Sequence, residues 1–347
     1  MRRYIPLLLV GLCTLFIILA TLLYTTSIMQ KNNDNNKLVP VIKSLTVYTT
    51  IPADMASIIA SEYRAENNIQ INFVPLSTEE LNDKIAQNNL ADADIILTDS
   101  QLLEKMAQKD ELEGIISEQE DIVQDIFKDK NNRWIGVWYD PVIFCYNTDY
   151  VKNNWHIPLT WEELSQKRDI KIAMSDFMVA SAASNVLYSL VEAKGEENAF
   201  HIMGDIHLQI VRYAKYLSTP VRMTGMAESD MAIAVQSETL RYIHDNYPLT
   251  IIYPKDGTAY QLTGVAIAKN STEKNAANDF IKWLLGDEVQ IALQSNRYFF
   301  VPTNYTSLTY KEFAGKNIKF LPQQMILDEN AKKLILDRWV TDIRLKN

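Results

Sequence analysis

Between residues 45 and 100 the chain alternates between short β-prone runs and amphipathic helical stretches, an order that leaves few folds open. Leu45-Thr46-Val47-Tyr48-Thr49-Thr50 is rich in β-branched and aromatic residues and ends at Ile51-Pro52, which predicts a strand followed by a loop. Ala53 to Ala65 carries Met55, Ile58 and Ile59 near helical spacing. Ile69-Gln70-Ile71-Asn72-Phe73-Val74 alternates and predicts a second strand. Ser77-Thr78-Glu79-Glu80 is a capping box, and Leu81 and Ile85 continue its helix. Asp94-Ile95-Ile96-Leu97-Thr98 reads as a short buried strand. Strands separated by helices pair in parallel, so the segment predicts a parallel sheet covered by helices.

The alternation resumes at Ile170-Lys171-Ile172-Ala173-Met174, a further buried strand. A loop over 175–180 leads to Ser181-Ala182-Ala183-Ser184, which opens a helix that stops at Gly195. Met231 to Val235 fits a buried strand, although five apolar residues also fit a piece of helix. Leu249 to Tyr253 and Gly264 to Ala268 read as strands, and the chain from Asn275 on reads as mostly helical. About 300 residues of this kind predict two lobes rather than a single core.

Ahead of this region, Met1-Arg2-Arg3 precedes 26 residues, Tyr4 to Met29, with no charged side chain. As a helix rising about 1.5 Å per residue, that run exceeds a hydrocarbon core of about 30 Å. The arginines place the N-terminus in the cytoplasm. The segment reads either as an uncleaved transmembrane anchor or as a secretory signal cut near Thr25-Thr26-Ser27. Both readings put the rest of the chain outside the cytoplasm, tethered in the first case and released in the second. Cys13 lies too early in the run to be a lipidated residue. Residues 30–44 read as a polar stalk, Asn-rich from Gln30 to Asn36. Cys145 is then the one cysteine of the exported part, so its stability comes from its core and not from disulfides. A net charge of −9 without a basic run argues against a nucleic-acid surface. His156, His201, His207 and His244 show no metal-ligand spacing.

Five segments, in order, resemble bacterial extracellular solute-binding proteins. Trp134-Ile135-Gly136-Val137 with Phe144-Cys145-Tyr146-Asn147 is similar to the segment that crosses between that family's two lobes. Pro158-Leu159-Thr160-Trp161-Glu162-Glu163-Leu164 resembles its P-x-T-W-[DE]-[DE]-L signature, and Pro254-Lys255-Asp256-Gly257-Thr258 its P-x-[DE]-G-T loop. Asn275 to Leu285 looks like its A-x-x-F-[IL]-x-[FW]-L-L helix, and Val301-Pro302-Thr303-Asn304 like the loop that closes the site from the C-terminal side. The similarity is strongest to the branch holding ferric-ion, phosphosugar and phosphonate receptors. It implies an α/β, two-lobed type II periplasmic-binding fold with the ligand between the lobes. Lobe one is expected at 45–140 and 265–347, and lobe two at 141–264.

Ser181 and Ser184 are candidate ligand residues, because a helix N-terminus offers unpaired N–H groups and small side chains let an anion approach. The family resemblance implies oxyanion binding at this loop, and an ordinary serine cap is the plainer reading. Thr49 and Thr50 end the first strand, where open parallel sheets bind ligands, but turn chemistry explains them equally. Asp256 and Thr258 stand before the second crossover, with a tight turn at Gly257 as the plainer reading. Tyr139 belongs to the crossover segment, either facing the cleft or packed as a structural aromatic. Arg222 offers a guanidinium fork suited to phosphate or carboxylate, though most arginines lie on solvated faces. Arg297-Tyr298-Phe299-Phe300 forms either a cleft wall or an apolar strand.

The resemblance implies an extracytoplasmic solute receptor of an ABC importer, a monomer with neither resident cofactor nor metal, whose closed form docks on a permease. Its expected ligand is a small oxyanion-bearing organic molecule, such as a phosphorylated metabolite or phosphonate. A ferric-ion receptor is an alternative. However, the ferric branch places adjacent tyrosines after a G-E-x-x-[IV] segment, and here Ser229-Asp230-Met231-Ala232-Ile233 is followed by Gln236-Ser237-Glu238. A second alternative is a membrane-anchored sensor that reports occupancy to a histidine kinase in place of a permease. No Ser-His-Asp order with motif support, metal cluster or glycine-rich phosphate loop points to an enzyme.

Overall fold

A computed structural model describes residues 44–115, 121–322 and 329–346. The expected N-terminal helix and the stalk up to residue 43 lie outside these residues, and Ser44 already belongs to the first strand. Among the described residues no helix is long and apolar enough to cross a membrane.

The first run of elements follows the predicted alternation: β1 (Ser44–Thr49), α1 (Ala53–Asn67), β2 (Gln70–Pro75), α2 (Thr78–Ala86), β3 (Ile95–Asp99) and α3 (Ser100–Gln108). Helix α2 starts at the expected box: the Glu80 N–H donates to Ser77 Oγ at 3.1 Å, and the Ser77 N–H donates to Glu80 Oε2 at 2.7 Å. After the short β4 (Leu112–Glu113) comes β5 (Ile135–Asn147), 13 residues long and buried throughout. The middle of the chain holds α4 (Thr148–Asn153), α5 (Trp161–Gln166), β6 (Ile172–Ser175), α6 (Ser181–Lys194), α7 (Glu196–His207), β7 (Ile210–Ala214), α8 (Ser218–Gly225), β8 (Met231–Val235), α9 (Gln236–His244) and β9 (Leu249–Ile252). Then follow β10 (Tyr260–Ala268), α10 (Lys274–Leu284), α11 (Asp287–Ser295), β11 (Val301–Pro302), α12 (Leu308–Ala314) and α13 (Glu329–Trp339), which ends in a π-helical turn, Val340–Arg344. Met231 to Val235 is therefore a strand, and β10 begins four residues before its predicted start.

The strands form a mixed sheet in the order β2-β1-β3-β10-β5-β8-β6-β7, with β4, β9 and β11 on its flanks. Strands β1, β2 and β3 are parallel, as are β6, β7 and β8. Two long antiparallel strands join these halves. From Ile135 to Pro141, β5 pairs with β10; from Val142 to Asn147 it pairs with β8 and β9. The first half packs its apolar core around Leu97, Leu103, Trp134 and Phe280. The second packs around Phe144, Trp161, Leu187 and Met203.

The C-terminal helix departs from the expected lobe assignment, which grouped 265–347 with residues 45–140. Ile335 and Trp339, one helical turn apart, are buried in the second core, and Trp339 packs against Phe177 at 4.8 Å between rings. Arg338 ties the same helix to α7 through Glu196 at 2.6 Å and Glu197 at 2.8 Å. A helical stripe on the sequence shows that a face is apolar, but not which core it covers.

Gly136 sits where β5 passes under the turn at Asp125–Phe127. A Cβ there would lie 2.7 Å from the Phe127 carbonyl oxygen and 2.9 Å from Leu262 Cδ1. Backbone cannot yield as a side chain can, so Gly136→Ala is expected to cost about 1–3 kcal/mol. A urea titration measures this directly, and an unchanged midpoint would show that the strand has room.

Candidate ligand-binding cleft

The carboxyl ends of the parallel strands in both halves face a common cavity of about 730 Å³, in the crevice where open α/β sheets bind ligands. The first half contributes Thr50 after β1, Asp99 at the end of β3, and Gln101 and Lys105 from α3. Gln101 and Lys105 are four residues apart and so share a helix face. The second half contributes Ser181, Ser184 and Asn185 from α6, and Ser237, Glu238 and Arg241 from α9. Trp138 on β5 reaches it from the crossover, and Arg297, Tyr298 and Phe300 reach it from the loop before β11.

Three aromatic rings wall one side. Trp138 and Phe300 are stacked with centroids 6.0 Å apart and planes at 19°, and Tyr298 and Phe300 lie 6.3 Å apart at 21°. Arg297, Tyr298 and Phe300 of the segment 297–300 thus line the cleft, whereas the Phe299 ring lies against His244 at 6.0 Å. The N-cap position of helix α6 is Ala180, which makes no side-chain capping bond, and Ser181 is the first residue of the helix and not its cap. Its first turn presents N–H groups without a side-chain acceptor. Ser184 is buried, and its hydroxyl donates back to the Ser181 carbonyl at 3.1 Å.

Acids and cations mix around the cavity. Lys105 donates to Asn82 Oδ1 at 2.7 Å, and Lys332 of α13 donates to Gln101 Oε1 at 2.5 Å. Arg241 is paired with Glu238 at 2.9 Å, and Arg297 with Asp245 at 2.8 Å. The other carboxyl oxygen of Glu238 is buried, with no hydrogen-bond partner among the described residues. The Tyr298 hydroxyl holds the Asp54 carboxyl below the usual range. Burial pushes the Asp99 carboxyl up, against the Gln101 N–H and the charge of Lys332, which draw it down. Asp140 is raised to about 7 by burial; the hydroxyl and N–H of Ser237 both donate to it and pull the other way.

Of the residues singled out on the sequence, Thr50, Ser181 and Ser184 line this cavity together. The other five are placed elsewhere. Thr49 is buried beside Thr50, and its hydroxyl donates to the Leu97 carbonyl at 2.7 Å, tying β1 to β3. Tyr139 points away from the cavity and stacks on Phe127 at 4.8 Å. Alternate residues of a strand face opposite sides, so neighbouring Trp138 and Asp140 line the cleft where Tyr139 does not. Arg222 is exposed on α8, with its guanidinium against Met226 Sδ. Asp256 accepts from the Trp161 N–H at 3.2 Å and pairs with Lys194 at 3.6 Å, which anchors the start of α5. Thr258 is buried and donates to the Val142 carbonyl, locking the loop onto the crossover. The P-x-T-W and P-x-D-G-T segments therefore hold each other, as the Trp161 indole also donates to the Gly257 carbonyl at 2.9 Å.

The sequence reading missed Asp99, Gln101, Lys105, Asn185 and Lys332. The strand-end rule that drew attention to Thr49 and Thr50 applies equally to the end of the third strand. Applied there, it would have reached Asp99 and the first turn of α3.

The model of the family described as bacterial extracellular solute-binding protein matches residues 59–320. An uncharacterized protein of Haemophilus influenzae is 24% identical over 194 residues, which cover 54% of this chain and 56% of that protein. The alignment thus spans little more than half the length of that relative. Among solved structures, the periplasmic binding protein AfuA from Actinobacillus pleuropneumoniae, with fructose-6-phosphate bound, is similar with a TM-score of 0.68 and 21% identity, covering 88% of this chain and 99% of that one. A ferric binding protein from Campylobacter jejuni is similar with a TM-score of 0.68 and 19% identity, covering 85% and 98%. Both have the type II periplasmic-binding-protein fold described above. With three quarters of its length matched to one family model, this chain belongs to the bacterial extracellular solute-binding proteins.

Proposed function

We propose that the chain is the extracytoplasmic solute receptor of an ABC importer and that its ligand is a small hydroxylated organic anion, of which a sugar phosphate is the nearest model. The observation that carries this reading is the joint lining of one cavity by a helix N-terminus without a side-chain cap and by Lys105, whose ammonium is bonded to the neutral Asn82 amide oxygen. Both features favour an oxyanion. The aromatic wall of Trp138, Tyr298 and Phe300 offers a flat apolar face to a ring-bearing ligand, and the unpartnered Glu238 oxygen accepts from a hydroxyl. Against a bare ferric ion stands Gln236-Ser237-Glu238, where the ferric branch places adjacent tyrosines. The fructose-6-phosphate bound to AfuA and the metal named for the ferric binding proteins bracket the chemistries this fold accepts. The family description places its members outside the cytoplasm and makes them receptors, which supports location and role alike.

A thermal-shift series with the purified protein tests the ligand class. A ligand that binds only the folded state stabilises it by about 2.7 kcal/mol at a hundred times its Kd. Fructose 6-phosphate or a related phosphosugar is expected to raise the melting temperature, with ferric citrate without effect. A shift with ferric salts alone would overturn the organic-anion reading. No shift across phosphosugars, phosphonates and glycerol phosphates would overturn it equally.

A further inference from the structure

The aromatic wall of the cleft suits the apolar face of a flat ring but holds no charged acceptor for the hydroxyls of that ring. The Trp138 indole is a donor only, and Phe300 has no polar group. The Tyr298 hydroxyl is engaged by the Asp54 carboxyl at the start of α1. An acceptor must therefore come from beside the wall, and helix α9 brings one there. Glu238 stands in the first turn of α9 and lines the cavity, as does Arg241 one turn further on. The charge of Arg241 is felt by both Asp54 and Tyr298, so the Glu238–Arg241 pair stands next to the wall.

The two oxygens of Glu238 are used differently. Oε1 accepts from Arg241 Nη1 at 2.9 Å, which fixes the side chain on the helix face. Oε2 is buried and has no hydrogen-bond partner among the described residues. The neighbouring Ser237 cannot supply one, because its N–H and its hydroxyl both donate to Asp140. A carboxylate oxygen shielded from water and left unmatched costs free energy, and it accepts but never donates. The torsion of a terminal carboxyl group is soft, so Glu238 can turn this oxygen toward a donor in the cavity at little cost.

We propose that Glu238 is the hydroxyl-selecting residue of the cleft: a sugar ring lies along Trp138, Tyr298 and Phe300, and one of its hydroxyls donates to the Glu238 oxygen that Arg241 leaves unmatched. The bond is charge-assisted, and it relieves the burial of an unpaired lone pair, so a ligand without hydroxyls forfeits both gains. Among small organic anions the cleft therefore takes sugar phosphates ahead of phosphonates and phosphate esters that carry no hydroxyl. This assignment rests on the organic-anion reading of the cleft and names the group that narrows it.

The test is calorimetric titration of the full chain with fructose 6-phosphate and with phenyl phosphate, a flat-ring phosphate that has no hydroxyl. The parent is expected to bind the sugar phosphate at least tenfold more tightly. Glu238→Gln should weaken fructose 6-phosphate binding at least tenfold and leave phenyl phosphate within about threefold. In that variant Arg241 claims the amide oxygen, so the NH₂ group faces the ligand and donor meets donor. Should Glu238→Gln fail to fold, Glu238→Ala carries the same comparison. If the parent binds neither phosphate ester, the organic-anion reading falls and this assignment with it. If the parent binds fructose 6-phosphate and the variant binds it equally well, the reading stands and the role of Glu238 is overturned. Equal losses for both esters would overturn it too, because Glu238 would then only support the cleft. Glucosamine 6-phosphate bound tenfold more tightly than glucose 6-phosphate would overturn it as well, by showing that the oxygen takes an ammonium and not a hydroxyl.

Discussion

Trp339→Ala is expected to destabilise the protein by about 3–5 kcal/mol, the range for emptying a fully buried aromatic site. The indole is 0% exposed and contacts the rings of Phe177 at 4.8 Å, His207 at 6.1 Å and Tyr213 at 6.4 Å. It is the largest apolar group holding α13 to the second core, with the Arg338 ion pairs at the rim. Those pairs are solvent-exposed and contribute little by themselves. Trp339→Phe provides the control. The indole N–H has no hydrogen-bond partner among the described residues, so phenylalanine forfeits volume but no polar contact. It is expected to cost less than half as much. Guanidinium titrations of the three proteins decide the matter. Equal losses for Ala and Phe would mean that the N–H, and not the packing, holds the helix. Because α13 also carries Lys332 to the cleft, Trp339→Ala is expected to disturb the cleft lining as well as the stability.

The second large effect concerns acidity. Asp140 lies on β5 beside the point where that strand changes partners, and its carboxyl receives both donors of Ser237 at the start of α9. Burial raises it from 3.8 to about 7. The unfolded chain ionises near the lower value and the folded one near the upper, so between them the folded state holds the additional proton. Its stabilising contribution is complete below about pH 4, falls as pH rises, and is gone above about pH 7. At about 1.4 kcal/mol for each tenfold difference in acidity, the loss across that window is about 2–4 kcal/mol. Asp140→Asn keeps an acceptor for the Ser237 N–H but cannot ionise. It should flatten the pH dependence of the melting temperature between pH 4 and 7, with the parent melting progressively lower as pH rises. Parallel curves for the two proteins would show that Asp140 is ionised throughout.

The strand-helix alternation was legible because each element writes its own periodicity. Ile69 to Val74 alternates, Ser77 and Glu80 cap, and the predicted elements over 45–100 match β1 to β3 within a residue or two at most boundaries. The cleft was legible only in part, because position along a strand says where the chain turns and not which way a side chain points. Thr50 and Thr49 are neighbours with the same chemistry, yet the strand aims one at the cavity and the other at Leu97. Asp256 and Thr258 carry a family-like pattern whose physical use is structural: they fasten α5 and the crossover to each other. Lys332 could not be read at all. Its burial depends on Trp339 finding the second core, a contact between segments more than a hundred residues apart.

The central place of β10 in the sheet has a consequence for how the chain acquires its shape. Residues 260–268 pair with β3 on one side and with β5 on the other. Until that stretch is available, β3 and the first part of β5 each expose an edge with unmatched N–H and C=O groups. The first core therefore cannot close around its earliest strands as they emerge from the ribosome. Contacts between such distant segments also make folding slow, since a long loop must be closed before they are gained. A chain that stays open until most of its length has been made is in the state needed to pass through a membrane before folding.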